Sequence, residues 1–242
     1  MLVDNKFIYL SLPRCASTSF YITCLKNNID IHHYSEDLVG KSNTNLDLTL
    51  DNETIADNIV HAHEKITNLK LKFGNDYDVI SVKRNRHERF ISLWKHVIDL
   101  ISLRFPKHVF DIFKNIKVDE LLAYTQNDLL SDTTKVQVLD TFFKNNGLAE
   151  YNDWYMKTII YILINPTSYW HNNDPNIIWF DFDKMNELEE WVSDKLGKSF
   201  KLEKSNGSQH FDCNIQLNEK FIDIYDSIYN FYDLPKQVKT LI

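Results

Sequence analysis

The chain is poor in the residues that cross-link or interrupt a fold: its 242 residues include 3 cysteines, 5 glycines and 5 prolines. Cys15, Cys24 and Cys213 form no close pair and no spacing typical of metal ligands, which argues against a disulfide framework and a zinc site. We therefore expect no metal and a reducing, cytoplasmic location. Because no low-complexity linker interrupts the sequence, we expect one domain over residues 1–242.

Long apolar runs and an excess of positive charge are also missing. The longest apolar stretch after the first strand-like segment, residues 158–164, is far too short to span a bilayer. The first six residues carry charges of both signs, so we expect neither a signal peptide nor an integral membrane segment. The formal net charge of −7 argues against nucleic acid as a partner, since general nucleic-acid binders need an excess of lysine and arginine.

Strand-like and helix-like patterns alternate along the sequence. The predicted strands cover residues 7–12, 59–61, 78–83 and 176–182. Helices are predicted over about residues 17–27, directly after residue 83, through much of 105–164, from about 184 to a left-handed cap at Gly197, and around 221–231. The polar residues 34–58 predict an irregular surface segment. We expect an α/β chain with a three-layer, P-loop-like fold, in which helices flank a central, mainly parallel sheet.

The segment between the first predicted strand and the first helix carries the clearest chemical signal. Its apolar run ends at Pro13, and Arg14 is followed by the small residues Cys15, Ala16, Ser17, Thr18 and Ser19. A strand that leads into a helix N terminus directs several backbone N–H groups at one point, where the helix dipole adds positive potential. Arginine and hydroxyl donors beside that point predict a phosphate or sulfate ligand. The alternative is a plain strand–turn–helix in which Arg14 faces solvent and Ser17 or Thr18 caps the helix.

A second basic cluster follows the strand predicted over residues 78–83. Four cations lie within seven residues: Lys83, Arg84, Arg86 and Arg89. Such charges repel one another unless they are solvated or paired with an anion, and ligands collect at the C-terminal ends of parallel strands. Ser92 lies one helical turn beyond Glu88 and is expected to direct its hydroxyl to the same place. The cluster predicts a second phosphate site; the alternative is a solvated helix start in which Glu88 pairs with a neighbouring arginine.

Together the two segments resemble the paired nucleotide motifs of sulfotransferases that use 3′-phosphoadenosine 5′-phosphosulfate (PAPS). Residues 12–19, Leu-Pro-Arg-Cys-Ala-Ser-Thr-Ser, resemble the 5′-phosphosulfate loop of that family, and residues 82–92 resemble its 3′-phosphate motif. Weaker similarity extends to residues 179–188 and to Asn206-Gly-Ser208, which resembles the family's terminal nucleotide loop. The order and spacing of these segments hold over most of the chain.

The resemblance implies a cofactor and a set of site residues. PAPS would be the co-substrate and adenosine 3′,5′-bisphosphate (PAP) the product, with no metal required. The residues that would bind the nucleotide are Arg14, Cys15, Ala16, Ser17, Thr18, Ser19, Arg84, Ser92, Asn206 and Ser208. Arg14 would also stabilise the departing phosphate oxygen. Ala16 stands where glycine is common, which predicts either that the loop needs no positive φ there or that it approaches the phosphosulfate differently.

A base must accept the proton of the acceptor hydroxyl. The sequence His61-Ala-His63 resembles the segment that carries the base in heparan and related uronyl sulfotransferases. Alternation along an extended chain places both imidazoles on one face, and imidazole suits proton abstraction near neutral pH. We favour His63, with His61 or Glu64 to orient or replace it. The same similarity favours a glycan hydroxyl as the acceptor. Aromatic residues that would stack on a sugar, or else belong to the core, are Tyr151, Trp154, Tyr155, Tyr169 and Trp170.

Two other functions use the same features. A nucleotide or small-molecule kinase would share the strand–loop–helix architecture, but the Walker sequence Gly-x-x-x-x-Gly-Lys-Ser/Thr is missing. A non-catalytic module would bind phosphorylated or sulfated ligands through the two basic segments. The presence of both motifs in the family's order favours the sulfotransferase.

Overall fold

The computed structural model describes residues 1–32, 63–115, 140–151, 165–203 and 219–233. The strands are β1 (Leu2–Val3), β2 (Phe7–Tyr9), β3 (Ile31–His32), β4 (Asp78–Lys83) and β5 (Ile177–Asp181). The helices are α1 (Ser17–Lys26), α2 (Ile66–Phe73), α3 (Arg86–Arg104), α4 (Lys107–Asn115), α5 (Ser168–His171), α6 (Met185–Leu196) and α7 (Glu219–Asp233). Residues 140–145 are also helical, and short 3-10 helices cover Ala149–Tyr151 and Phe182–Lys184. None of the described helices is long and apolar enough to cross a bilayer.

Residue contacts divide the chain into two compact units. The first contains Met1–Asn85 and Tyr169–Asn206, and the second contains Arg86–Ser168 and Gly207–Ile242. All five described strands, with α1, α2 and α6, belong to the first unit, whereas α3, α4 and α7 belong to the second. The prediction of one domain over the whole chain stays a prediction.

The sheet of the first unit is mixed. Its strand order is β3-β1-β2-β4-β5, and β2, β4 and β5 run parallel to one another. Tyr9 of β2 lies opposite Ile80 of β4, which lies opposite Ile178 of β5. β1 is antiparallel to both β2 and β3. The α/β prediction is confirmed, and the three parallel strands bring the ends of β2 and β4 to the same side of the sheet.

An N-terminal hairpin accounts for the antiparallel part of the sheet. Asp4 and Asn5 both have positive φ, at 49° and 51°, and the backbone N–H of Lys6 donates to the carbonyl oxygen of Val3 over 2.9 Å. A turn whose two central residues both have positive φ matches the right-handed twist of its strands, and Asp and Asn tolerate that conformation best after glycine. The hairpin was not predicted, although an Asp-Asn pair that follows an apolar run is a signal of such a turn.

The predicted elements around the site agree with the structure to within a few residues. The strand at 78–83 is confirmed as β4, whereas the strand predicted at 7–12 ends at Tyr9 and that at 176–182 covers Ile177–Asp181. Gly197 ends α6 in the left-handed region, at φ 70°, with its N–H donating to the Ser193 carbonyl oxygen over 2.8 Å. The strand predicted at 59–61 and the irregular segment 34–58 lie outside the described residues.

The core of the first unit is built around β2, because the side chains of Phe7, Ile8 and Tyr9 are all fully buried. The Tyr9 ring stacks on Phe20 of α1 with 3.9 Å between centroids, and Phe7 meets Trp191 of α6 edge-on at 5.1 Å. Each large apolar side chain buried in this way contributes about 1.5–3 kcal/mol. This packing anchors β2, and therefore the start of the loop that follows it.

The second unit is organised by packing between α3 and α7. Phe90 of α3 lies 4.6 Å from Phe221 and 5.0 Å from Tyr225 of α7, measured between ring centroids. The buried apolar stripe of α3 recurs at helical spacing: Phe90, Leu93, Trp94, Val97 and Ile101. The predicted C-terminal amphipathic helix is therefore present as α7.

Candidate functional site

The loop between β2 and α1 contains two non-glycine residues in the left-handed region. Arg14 has φ 61° and Ala16 has φ 62°. For a residue with a Cβ atom this conformation costs about 1–2 kcal/mol, because Cβ approaches the following carbonyl oxygen. The expectation that alanine at position 16 means a loop without positive φ is therefore wrong. The chain adopts the glycine-like conformation with alanine, and tertiary contacts must hold it there.

Four hydrogen bonds hold the loop in this shape. The buried Tyr9 hydroxyl donates to the Cys15 carbonyl oxygen over 3.2 Å, and the Cys15 N–H donates to the Leu12 carbonyl oxygen, also over 3.2 Å. At the helix end, the Phe20 N–H donates to the Ala16 carbonyl oxygen over 2.9 Å. Before the loop, the Ser81 hydroxyl donates to the Leu10 carbonyl oxygen over 2.8 Å. Contacts from the core thus over-determine a strained backbone, a pattern that is common at ligand sites.

The N terminus of α1 has the polarity that an anion requires. Ala16 is its N-cap residue, and no side-chain cap is found there among the described residues. The first turn, all of which is described, holds no acidic residue, so no carboxylate in that turn offsets the helix dipole. The alternative in which Ser17 or Thr18 caps the helix is not what the structure shows. Arg14 is half-buried beside this terminus in sequence.

His63 lies against the start of the same loop. Its Nδ1 atom is 2.9 Å from the Ser11 carbonyl oxygen and 3.2 Å from the Ser11 hydroxyl oxygen. The structure therefore brings the favoured base next to the segment that leads to Arg14, within the first unit. Sequence analysis missed Ser11. The available signal was a polar residue just after a buried strand, at the end of the sheet where α/β proteins bind ligands.

The two alternatives to His63 fare differently. His61 lies outside the described residues. Glu64 serves the start of α2, since its Oε1 atom accepts the Lys65 backbone N–H over 2.7 Å and the Asn68 side-chain amide over 2.6 Å. Satisfying N-terminal N–H groups in this way is an ordinary structural role for a carboxylate. The geometry of Glu64 is that of a helix-starting residue.

Helix α2, which follows His63, is tied to the segment around α5. The Lys65 ammonium lies 4.0 Å from the centroid of the Tyr169 ring, and Lys70 forms a salt bridge with Asp174. Burial raises the pKa of the Asp174 carboxyl, but hydrogen bonds from Lys70 and from the Asn176 N–H outweigh burial and hold that pKa below its ordinary value. These contacts fix the helix that begins three residues after His63.

The aromatic residues predicted as sugar platforms are mostly engaged elsewhere. Trp170 is buried against Tyr169, and Tyr169 receives Lys65 on its ring. Tyr151 in the second unit packs edge-on against Phe105, and its hydroxyl is 2.8 Å from His108 Nε2. Trp154 and Tyr155 lie outside the described residues. Tyr169 contacts Lys65, which lies two residues after His63.

Arg84 lies at the C-terminal end of β4. Its guanidinium is 4.3 Å from the centroid of the Phe182 ring, a cation–π contact worth about 0.5–1 kcal/mol. The neighbouring Lys83 pairs with Asp181 over 3.2 Å. Both contacts join the ends of the parallel strands β4 and β5. Arg84 therefore lies at the end of the sheet from which the β2–α1 loop also departs.

In the second unit, the cations at the start of α3 have protein partners. Asp226 of α7 accepts hydrogen bonds from Arg86 Nη2 and from His87 Nε2, each over 2.9 Å. Arg89 is fully buried, with Nη1 3.4 Å from the Asn165 carbonyl oxygen and from the Tyr225 hydroxyl oxygen. Carboxylates and buried oxygens thus offset much of the charge that the sequence analysis assigned to a ligand. The alternative interpretation named Glu88 as the partner of a neighbouring arginine, whereas the partner that the structure shows for Arg86 is Asp226.

The remaining predicted residues stay as predictions. Ser92 is half-buried on α3 in the second unit. Asn206 and Ser208 lie outside the described residues. In the part of the chain that the structure describes, no group of three or more His, Cys, Asp or Glu side chains is arranged to hold a metal ion.

Comparison of the chain with protein-family models, with curated proteins and with solved structures finds no match. The resemblance to sulfotransferases therefore depends on the sequence motifs, and the structure contributes the local geometry of the loop, His63 and Arg84.

Proposed function

We propose that this protein is a sulfotransferase that moves the sulfuryl group of PAPS to a hydroxyl, and that the acceptor is a carbohydrate. The observation that carries the proposal is the strained β2–α1 loop with the imidazole of His63 against its second residue, Ser11. The loop provides a helix N terminus and an arginine, and His63 provides an imidazole that contacts the loop; these are the groups that sulfuryl transfer needs. The proposal includes the finer fold, a three-layer P-loop-like domain, and a cytoplasmic location.

The donor is assigned to the loop and the end of β4. The N–H of Cys15 already donates to Leu12, so we assign the 5′-phosphosulfate to Arg14 and to the groups of Ala16, Ser17, Thr18 and Ser19. Arg84 is assigned to the 3′-phosphate. The resemblance adds Ser92, Asn206 and Ser208 to the nucleotide site. A positively charged arginine for each phosphate group suits a nucleotide that carries negative charge at both its 5′ and its 3′ positions.

The reaction follows the logic of phosphoryl transfer. The acceptor oxygen attacks sulfur, the bond between sulfur and the bridging phosphate oxygen breaks, and PAP leaves. His63 accepts the hydroxyl proton as the new bond forms, and Arg14 stabilises the negative charge on the departing oxygen. Arginine suits the second role because it stays charged at any working pH.

The test is an activity assay with the full chain. The protein is incubated with PAPS that carries a labelled sulfuryl group and with a panel of glycans, lipids and phenols, and the products are identified by mass. A sulfated glycan from the wild-type chain, absent with His63→Ala, supports the proposal. A phosphorylated product that requires ATP and Mg²⁺ would instead identify a kinase. Binding of PAP without transfer to any acceptor would identify a non-catalytic module.

A further inference from the structure

Ser11 is a buried polar residue whose position is fixed from both sides. It is only 1% exposed, and it lies two residues after the end of β2 and three before Arg14. The preceding residue, Leu10, donates its N–H to the Ile80 carbonyl oxygen over 2.9 Å and accepts the Ser81 hydroxyl over 2.8 Å. The Ser11 oxygens are therefore held by the sheet and not by the loop alone.

The contact between Ser11 and His63 determines which ring nitrogen is basic. A carbonyl oxygen accepts hydrogen bonds and cannot donate one, so the 2.9 Å contact requires a proton on Nδ1 of His63. The Ser11 hydroxyl oxygen, at 3.2 Å from the same nitrogen, then acts as a second acceptor. In the neutral ring the lone pair is on Nε2, because one nitrogen is protonated and the other is not.

We propose that Ser11 is a positioning residue for His63: its carbonyl sets the tautomer, and its hydroxyl fixes the rotation of the ring. The role rests on the proposed function, in which His63 accepts the acceptor's proton, and it assigns that proton to Nε2. The same two oxygens stabilise the imidazolium that forms during transfer, since both accept from the Nδ1–H that then carries more positive charge. Ser11 thereby holds the imidazole of His63 against the β2–α1 loop, which is proposed to bind the donor.

The tautomer is measured on the resting protein, without donor or acceptor. Nitrogen-15 spectra of ¹⁵N-histidine-labelled wild-type chain, assigned with His63→Gln, report which ring nitrogen carries the proton at a pH where the ring is neutral. We expect a protonated-type shift at Nδ1 and an unprotonated-type shift at Nε2. The opposite pattern, or the averaged pattern of histidine in an unfolded peptide, would overturn the proposal. This result does not depend on whether the protein is a sulfotransferase.

The hydroxyl is tested by Ser11→Ala with Ser193→Ala as the control. Ser193→Ala also removes a serine hydroxyl that donates to a backbone carbonyl oxygen, that of Glu189 within α6. We expect Ser11→Ala to leave the proton on Nδ1 of His63, because the carbonyl remains, but to change the ring shifts of His63, because one acceptor is lost and the ring rotates more freely. Ser193→Ala should keep the wild-type spectrum. In the sulfotransferase assay, Ser11→Ala should lower kcat about three- to tenfold, the equivalent of one hydrogen bond, with KM for PAPS within about twofold.

The outcomes separate the two proposals. An unchanged spectrum in folded Ser11→Ala would overturn the positioning role of the hydroxyl. A loss of kcat in Ser193→Ala as large as that in Ser11→Ala would do so as well. Wild-type protein with the expected tautomer and no sulfuryl transfer would contradict the proposed function alone.

Discussion

The β2–α1 loop and the start of α3 both place arginine beyond the end of a buried strand, but they differ in what surrounds the charge. The loop holds Arg14 and Ala16 in a strained backbone, and the described first turn of α1 holds no acidic residue. The start of α3 is a regular helix in which Asp226 accepts from Arg86 and His87. Ion pairs within the protein explain the second arrangement without a ligand. The positive φ angles of Arg14 and Ala16 are not explained by an ion pair of this kind, and strained backbone clusters at ligand sites, so the loop is the stronger evidence for a site.

Removing the charge of the loop is expected to have the largest effect. Arg14→Ala should lower kcat about 10²–10³-fold, the loss seen when one preorganised donor to a developing anion is removed, with a much smaller change in PAP affinity. Rates and PAP titrations with the full chain measure both. Lys26→Ala, at the opposite end of α1 and exposed in its pair with Glu203, is the control for a lost cation. Equal, small losses in rate and affinity for Arg14→Ala would contradict its role.

Arg84 is the arginine of the second motif that directly follows β4, in the same unit as the β2–α1 loop. Arg84→Ala should weaken PAP binding about 10–100-fold, since a charge-assisted hydrogen bond contributes about 1.5–3 kcal/mol. Lys83→Ala removes an adjacent cation that pairs with Asp181, and we expect it to change PAP affinity less than about threefold. Calorimetric titration of both variants distinguishes them. If Lys83→Ala weakened PAP binding as much as Arg84→Ala, the loss would reflect the net charge of the region, and the specific role of Arg84 would be contradicted.

The strain itself is tested by Ala16→Gly. Glycine removes the Cβ conflict at φ 62° but adds entropy to the unfolded chain, so we expect a net gain of about 0.5–1 kcal/mol in the free energy of unfolding. Ser19→Gly, at a helical position of α1, should lower it by about 0.5 kcal/mol. Urea unfolding curves measure both. A loss of stability in Ala16→Gly would show that the backbone at position 16 is not strained, and the difference drawn between the β2–α1 loop and the start of α3 would no longer hold.

The smallest expected effect concerns the salt bridge between Lys70 and Asp174, which stabilises the fold and has no proposed role in the reaction. The pKa of Asp174 is lowered in the folded chain, so its pairing with Lys70 stabilises the fold above the unfolded-state pKa and is lost as pH falls through the folded-state pKa. Lys70→Met should lower the free energy of unfolding by about 0.5–1 kcal/mol at neutral pH, and the difference should shrink below about pH 4. Urea unfolding at both pH values measures this.

The control for that prediction is Lys184→Met, which breaks an exposed pair with Glu187 and should change stability little at either pH. A difference between Lys70→Met and wild type that persisted undiminished in acid would show that Asp174 is not its source.

Local patterns predicted the strand–loop–helix units well, because they depend on residues close together in sequence. Apolar runs and a glycine cap located β4 and α6, and the anion-suited start of α1 followed from Arg14 and the small residues after it. The strain at Ala16 could not be predicted, since alanine disfavours positive φ and only contacts from Tyr9 and other core residues impose it. The N-terminal hairpin was missed although its turn residues were visible.

Contacts between distant residues were beyond the reach of the sequence. Ser11 and His63 are 52 positions apart, and His87 and Asp226 are 139 apart. No spacing rule connects residues across such intervals, because their meeting depends on how the elements pack. Those two contacts decide most of the functional interpretation: the first supports the base, and the second supplies a protein partner for the cations of α3.

The central claim is that the β2–α1 loop and the end of β4 bind the two phosphate groups of one adenosine nucleotide. Calorimetric titration of the wild-type chain with PAP, and with adenosine 5′-monophosphate, tests it most directly. We predict that PAP binds about 10–100-fold more tightly than the monophosphate without added Mg²⁺, and that Arg84→Ala removes most of this difference. Equal affinity for the two nucleotides, or no binding of PAP, would contradict the account.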